Sequence, residues 1–214
     1  MSASLSPSVP ASSFPDELFR FICSRYSRGS IFFAEDLECT GRPRQVIRVA
    51  LSELVRDNFS IIRIARGVFC YPRLDDAAHV IVPDDRSVAA ALARRWRVRI
   101  APCSEQAATL AGLIPFGIHP LRFVSDGSEQ HFNLQNGRRI EFLRRKSVKV
   151  FDFRSEALRN LVEGLRFLGP GNISDYELSV ARSTLAGISP EDFRHDVLLA
   201  PGWIRELLDS CKVG

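Results

Sequence analysis

A helix that runs without a spacer into a two-stranded hairpin limits what the first part of this chain can fold into. Pro43 to Asn58 places Val46, Ile47, Ala50, Leu51 and Leu54 at the spacing of one helix face. The stretch IIRIARGVFCYP, residues 61–72, follows at once. Its two short β-prone runs face each other across Ala65-Arg66-Gly67, and Gly67 supplies the positive φ that a tight turn needs. Pro72 stops the second run, because it cannot donate to a strand ladder. A lone hairpin is marginal in water, so its packing partner must be the helix just before it.

The preceding residues complete the pattern. Pro15 to Arg28 reads as an amphipathic helix with Leu18, Ile22 and Tyr26 at four-residue spacing, Phe19 widening the stripe and Gly29 ending it. Ile31-Phe32-Phe33 reads as a short strand, Ala34 to Glu38 as one helical turn, and Cys39-Thr40-Gly41 as a turn. Helix, strand, short helix, turn, helix and hairpin is the order of a winged helix-turn-helix, with the hairpin as its wing.

Leu74 to Asp85 reads as an acidic linker with a β-prone middle, His79 to Val82, and a domain boundary is expected near Asp76. Beyond it, helices are expected over Ser87 to Trp96 and over Ser104 to Ala111, the second capped by Ser104. Strands are expected over Arg97 to Ala101, Leu121 to Ser125 and Val148 to Phe151. His131 to Leu134 and Arg138 to Leu143 flank Asn136-Gly137, a strong hairpin signal. The last third is helical. Leu158, Leu161, Val162, Leu165 and Leu168 form one stripe, Ser174 and Glu177 form a capping box, Pro190 opens another helix, and Trp203 to Cys211 forms a last short one.

The expected fold is therefore α+β: an N-terminal winged helix-turn-helix, a small α+β domain and a helical C-terminal extension. The expected division is a disordered Ser/Pro/Ala-rich tail over 1–13, a winged helix over 14–75, an α+β domain over 76–152 and helices over 153–214.

The formal charge of +4 is unevenly spread. Residues 42–73 hold seven arginines against Glu53 and Asp57, and residues 94–149 hold eleven basic residues against four acidic ones. The last third is net acidic, so an anionic partner is expected for the first two thirds. The five cysteines, Cys23, Cys39, Cys70, Cys103 and Cys211, are odd in number and form no C-x-x-C pair. They read as reduced thiols, which suits a cytoplasmic location. No apolar run approaches the ~18 residues of a membrane span, and the first residues lack the pattern of a secretory leader.

On a helical wheel, the arc of the 43–58 helix opposite its apolar face holds Gln45, Arg48, Ser52 and Arg56, with Arg42 and Arg44 near the N-terminus. A recognition helix offers its N-terminal half to base edges, where Arg pairs with guanine and Gln with adenine. Gln45 and Arg48 are the candidates for bases, Arg63 and Arg66 on the hairpin for phosphates. Arg138, Arg139, Arg144, Arg145, Lys146 and Lys149 form a second basic run, suited to extending that surface, to docking an acidic partner, or to lying in solvent.

Signals of catalysis are weak. His79, His119, His131 and His195 are scattered, Gly169-Pro170-Gly171 lacks the lysine of a phosphate-binding loop, and no nucleophile sits in a known motif. Glu191, Asp192, His195 and Asp196 share one helix and read as an exposed acidic face rather than a metal site. No enzyme, cofactor or metal is expected.

The run SIFFAEDLECTGRPRQVIRVALSELVRDNFSIIRIARGVFCYPR resembles the N-terminal winged helix of bacterial AbiEi-type antitoxins. RVRIAPCSEQAATLAGLIPFGIHPLRFVSDGSEQHFNLQNGRRIEFLRR resembles their second domain, so that the likeness spans about Ser30 to Lys149. It implies the antitoxin of a type IV toxin–antitoxin pair, which represses its own promoter and counteracts a nucleotidyltransferase-like toxin. It also implies DNA contact by Arg42, Arg44, Gln45, Arg48, Arg63 and Arg66. The alternative is a protein–protein interaction module whose winged helix and basic run dock an acidic partner.

Overall fold

The computed structural model describes residues 13–56, 60–117, 121–145 and 149–213. The tail over 1–12, the end of the 43–58 helix, His119 and Lys146 lie outside the described residues. The protein is mixed α+β with a helical C-terminal region and divides into two compact units, Met1–Val88 and Ala89–Gly214. Among the described residues no helix is long and apolar enough to cross a membrane.

In the first unit, α1 (Phe14–Arg25) is capped by Ser13, whose hydroxyl oxygen accepts from the Asp16 N–H. It ends three residues earlier than its apolar spacing suggests. Tyr26 turns extended and stacks its ring on Phe32, with centroids 5.0 Å apart. Strand β1 (Ile31–Phe33) leads into a 3₁₀ turn, Ala34–Thr40, and then into α2 (Arg44–Arg56). The hairpin is β2 (Ile62–Ala65) and β3 (Val68–Cys70), closed by Arg66 and Gly67. β3 is the middle strand of a three-stranded antiparallel sheet, with β1 on one side and β2 on the other. The core joins Leu18 and Ile22 of α1 to Leu37, to Ile47, Ala50, Leu51 and Leu54 of α2, and to Phe32 and Phe69 of the sheet.

Val46 departs from the expected face: it is 42% exposed, while Leu51 is fully buried. It lies on the flank of the stripe, where none of the described elements covers it. The acidic segment after Pro72 is not a plain linker. β4 (Arg73–Leu74) pairs with β5 (Val80–Ile81), and the Asp75 carboxylate closes the turn by accepting the Ala77 and His79 N–H groups at 2.9 and 2.7 Å. Helix α3 (Asp85–Trp96) then runs across the division between the units.

The second unit is built on a four-stranded sheet: β6 (Ile100–Pro102), β7 (Leu121–Ser125), β9 (Arg139–Arg144) and β8 (Gln130–Asn133), in that spatial order. The β8–β9 hairpin forms around Asn136-Gly137 as expected. β9 also pairs in parallel with β7, which places it inside the sheet. Trp96, Phe132, Phe142 and Phe123 pack ring against ring on one face. On the other, Ala101, Cys103 and Val124 gather Val150. Val150 lies in a 3₁₀ turn, Lys149–Phe151, and not in the expected strand; Val148 is outside the described residues.

Helix α4 (Ser104–Leu110) is not capped by Ser104. Ser104 is its first residue, at φ 54, and Cys103 precedes it without a side-chain cap. α4 packs tightly on α5 (Glu156–Leu168), because Gly164 of α5 faces it: a Cβ there would lie 2.8 Å from Ala108 Cα. The stripe Leu158, Leu161, Val162 and Leu165 forms one core with α6 (Asp175–Ala186), α7 (Pro190–Asp196) and α8 (Gly202–Val213), and Ala108 and Leu113 belong to it. The C-terminal helices thus share their core with the α4 segment. The capping box at Ser174 and Glu177 and the Pro190 start are both present.

The expected exposed acidic face on α7 is only partly so. Asp196 is fully buried and caps the entry to α5, accepting from the Arg154 and Ser155 N–H groups at 2.9 and 2.8 Å, with His195 Nδ1 at 2.8 Å. Among the described residues no cluster suited to a metal ion is formed.

Two outcomes follow. Gly164→Val should destabilise the protein by about 1–3 kcal/mol through overpacking against α4, read as a lower urea midpoint; unchanged stability would mean that α4 does not pack there. Burial pushes the Cys70 thiol up to about 11 from its ordinary 9, against a smaller opposing pull from Arg73. The unfolded chain therefore ionises Cys70 first, and stability should fall as pH rises from about 9 to 11. Cys70→Ala should flatten that part of the pH–stability curve, and an unaltered slope would assign it to another group.

Candidate functional site

At the hairpin turn the Ala34 N–H donates to the Gly67 carbonyl at 3.2 Å, which continues the β1–β3 pairing by one residue. This brings the start of the 3₁₀ turn, the tip of the hairpin and the outer side of α2 around one cleft of about 600 Å³. Arg48, Ser52, Val55 and Arg56 line it from α2, Arg63, Arg66, Gly67 and Phe69 from the hairpin, and Ala34 and Glu35 from the 3₁₀ turn.

Local backbone geometry aims the arginines. Ile64 is an extra residue in β2: Arg63 pairs with Phe69 and Ala65 with Val68, so the register shifts between them. Such a bulge breaks strict alternation. Ile64 and Ala65 are both buried, while Arg63 and Arg66 are both exposed. The Arg63 side chain is steadied by its Nε–H, which donates to the Ala65 carbonyl at 3.4 Å. Among the described residues none of Arg48, Arg56, Arg63 and Arg66 is held by a carboxylate. Four guanidinium groups around one cleft repel one another, and with Glu35 as the carboxylate among the lining residues the balance stays positive and favours an anion between them.

Other candidates are placed elsewhere. Arg44 is taken up by Glu38, with Nε 2.6 Å from Oε1 and Nη2 3.3 Å from Oε2. Arg42 lies over the Phe14 ring, 5.1 Å from its centroid. Gln45 is exposed on the N-terminal half of α2 and does not line the cleft. Ser52 donates its hydroxyl hydrogen to the Arg48 carbonyl at 2.8 Å, which leaves its oxygen as an acceptor. Arg56 lies on the wheel arc opposite the apolar face, yet only the hairpin's position beside that arc makes it part of the cleft. Glu35, Val55 and Phe69 carried no sequence signal.

The second basic run, in the second unit, is partnered in part. Arg139 Nε lies 3.2 Å from Glu141, and Arg145 Nη1 lies 2.7 Å from Glu163, a carboxylate only 3% exposed that also meets Arg166 at 3.3 Å. Arg138 also has a partner. Arg144 and Lys149 are exposed.

The structure thus defines a mixed α+β protein with an arginine-lined cleft in its N-terminal unit. A family model described as "Family of unknown function (DUF6088)" matches residues 21–192, from within α1 to within α7, and the chain belongs to that family. No curated protein matches the chain.

The cleft depends on the turn. Gly67 sits at φ 74, and a Cβ there would meet nothing within 4 Å. Gly67→Val should therefore cost stability by backbone strain alone, roughly 1–2 kcal/mol, while Gly67→Asn should be milder. Equal urea midpoints for all three proteins would show that the turn is not left-handed.

Proposed function

We propose that the N-terminal unit binds DNA as a winged helix-turn-helix, with α2 in the major groove and the β2–β3 hairpin as the wing. The chain would then be a cytoplasmic bacterial transcriptional regulator. The observation that carries this reading is the convergence of Arg48, Arg56, Arg63 and Arg66 on one cleft between helix and hairpin. A phosphodiester backbone offers the closely spaced negative charge that such a cluster neutralises. Sharing that cleft with the hairpin favours the backbone as the partner of Arg48. Gln45, outside it on the N-terminal half of α2, remains for base edges. Arg44 and Arg42 serve chiefly to hold the start of α2, through Glu38 and Phe14.

The resemblance to AbiEi-type antitoxins extends the proposal. On it, the protein represses its own promoter as the antitoxin of a type IV pair and counteracts a nucleotidyltransferase-like toxin. That step is tested by the adjacent gene: a nucleotidyltransferase-like product that stops growth when expressed alone, and is relieved by this chain, is the expected result.

Phosphate contacts weaken or strengthen binding to every sequence alike and set its salt dependence. Arg63→Ala/Arg66→Ala should therefore reduce affinity equally for promoter and random duplexes. The slope of log affinity against log salt should become shallower by about 0.9 for each phosphate that is no longer neutralised. Gln45→Ala should instead cost about 1–3 kcal/mol on the promoter site and little on random DNA. Titrations at several salt concentrations, beside a thermal melt, decide. An unchanged slope in a folded double variant removes the hairpin from the interface.

A further inference from the structure

The exposed arc of α2 has two edges. Arg48, Ser52, Val55 and Arg56 line the cleft on one of them. Val46 and Val49 lie on the other, 42% and 49% exposed. Gln45 stands one turn before Val49 and so directly beside it on the surface. Glu53, the one carboxylate of α2, follows Val49 by a turn and is also exposed.

Two neighbouring valines on a solvated helix face are not chosen for the helix itself. β-branched residues lower helix propensity and gain nothing from water. They suit a surface that meets apolar groups within a charged frame. The major groove supplies such a group only at thymine, whose C5-methyl projects into it. Arg48 on the cleft edge complements the phosphates, and Arg56, two turns beyond Val49, reaches the cleft beside the hairpin, while the N-terminal part of the valine edge holds Val46 and Val49 and is followed by Glu53, which phosphates would repel. The valine edge therefore fits base edges and not the backbone.

We infer that Val49, flanked by Val46, is a specificity residue of α2 that packs on thymine methyl groups next to the base read by Gln45. The inference rests on the DNA-binding reading above. It predicts a preference for thymine at one or two positions of the site, enforced by burial of a methyl group and not by a hydrogen bond.

The experiment uses the full chain and a duplex of the region upstream of its own coding sequence. A second duplex carries deoxyuridine in place of thymidine, which keeps base pairing and removes only the methyl groups. The wild-type protein should bind the deoxyuridine duplex about three- to fivefold more weakly for each methyl group it buries, as expected for one buried methyl. Val49→Ala should bind the thymidine duplex more weakly by a similar factor and no longer distinguish the two duplexes. Arg63→Ala should lose affinity on both and keep the distinction. Since Val49 is exposed and alanine is the better helix former, the melting temperature of Val49→Ala should be unchanged or raised.

Equal wild-type affinity for both duplexes, with binding otherwise intact, overturns the thymine contact and leaves the DNA-binding reading standing. Loss of discrimination in Arg63→Ala but not in Val49→Ala also overturns it. Absence of binding to either duplex overturns both readings. If Val46→Ser/Val49→Ser changes the sedimentation mass and leaves DNA affinity unaltered, the valine edge is a protein interface and the inference fails.

Discussion

β3 lies between β1 and β2, and this one pairing arrangement governs the N-terminal unit. A hairpin joined only through its own turn would swing free of the helix before it. Here Val68, Phe69 and Cys70 pair with Phe33, Phe32 and Ile31 on one side while β2 pairs on the other. Phe69 stacks on Phe32, which stacks on Tyr26, so the rings of the sheet continue into the core that α1 and α2 close. With the hairpin held this way, its tip stays beside the outer arc of α2 and the cleft persists without a ligand to organise it.

The arginines illustrate how partners sort residues that composition treats alike. Arg44 has a bidentate carboxylate partner and Arg42 an aromatic one, and both belong to the framework at the start of α2. Arg48, Arg56 and Arg66 keep their guanidinium groups open to solvent at the cleft, where the Glu35 carboxylate offsets only part of their charge and an incoming anion relieves the rest of their repulsion. In the second unit, Arg145 and Arg166 converge on Glu163, which is buried and would be costly to leave alone there. A basic run in the sequence thus becomes, in part, the internal neutralisation of a buried carboxylate.

The second unit rests on two constraints that act at a distance. The parallel pairing of β7 with β9 places β9 inside the sheet and leaves β8 at its edge. The close approach of Ala108 to Gly164 fastens α4 to the helical core. Asp196 adds a third tie, since its carboxylate on α7 receives two backbone N–H groups from the entry to α5, some forty residues earlier in the chain.

Much of the local structure was legible in the sequence, because it is decided within a few residues. The β1 strand at Ile31–Phe33, the Arg66-Gly67 turn, the hairpin at Asn136-Gly137, the capping box at Ser174 and the Pro190 helix start each follow from side chains adjacent to the backbone they govern. The exposed arc holding Arg48, Ser52 and Arg56 was legible too, since helical periodicity fixes which residues share a face. What only the tertiary structure decided depends on partners far along the chain. The early end of α1 at the Tyr26–Phe32 stack, the turn at Val150 in place of a strand, the burial of Asp196 and the exposure of Val46 are of this kind. So is the division of the arginines between framework and cleft. Charge and periodicity name the residues that can meet an anion, but only the packing of β3 and the position of Glu38, Phe14 and Glu163 determine which of them remain available to one.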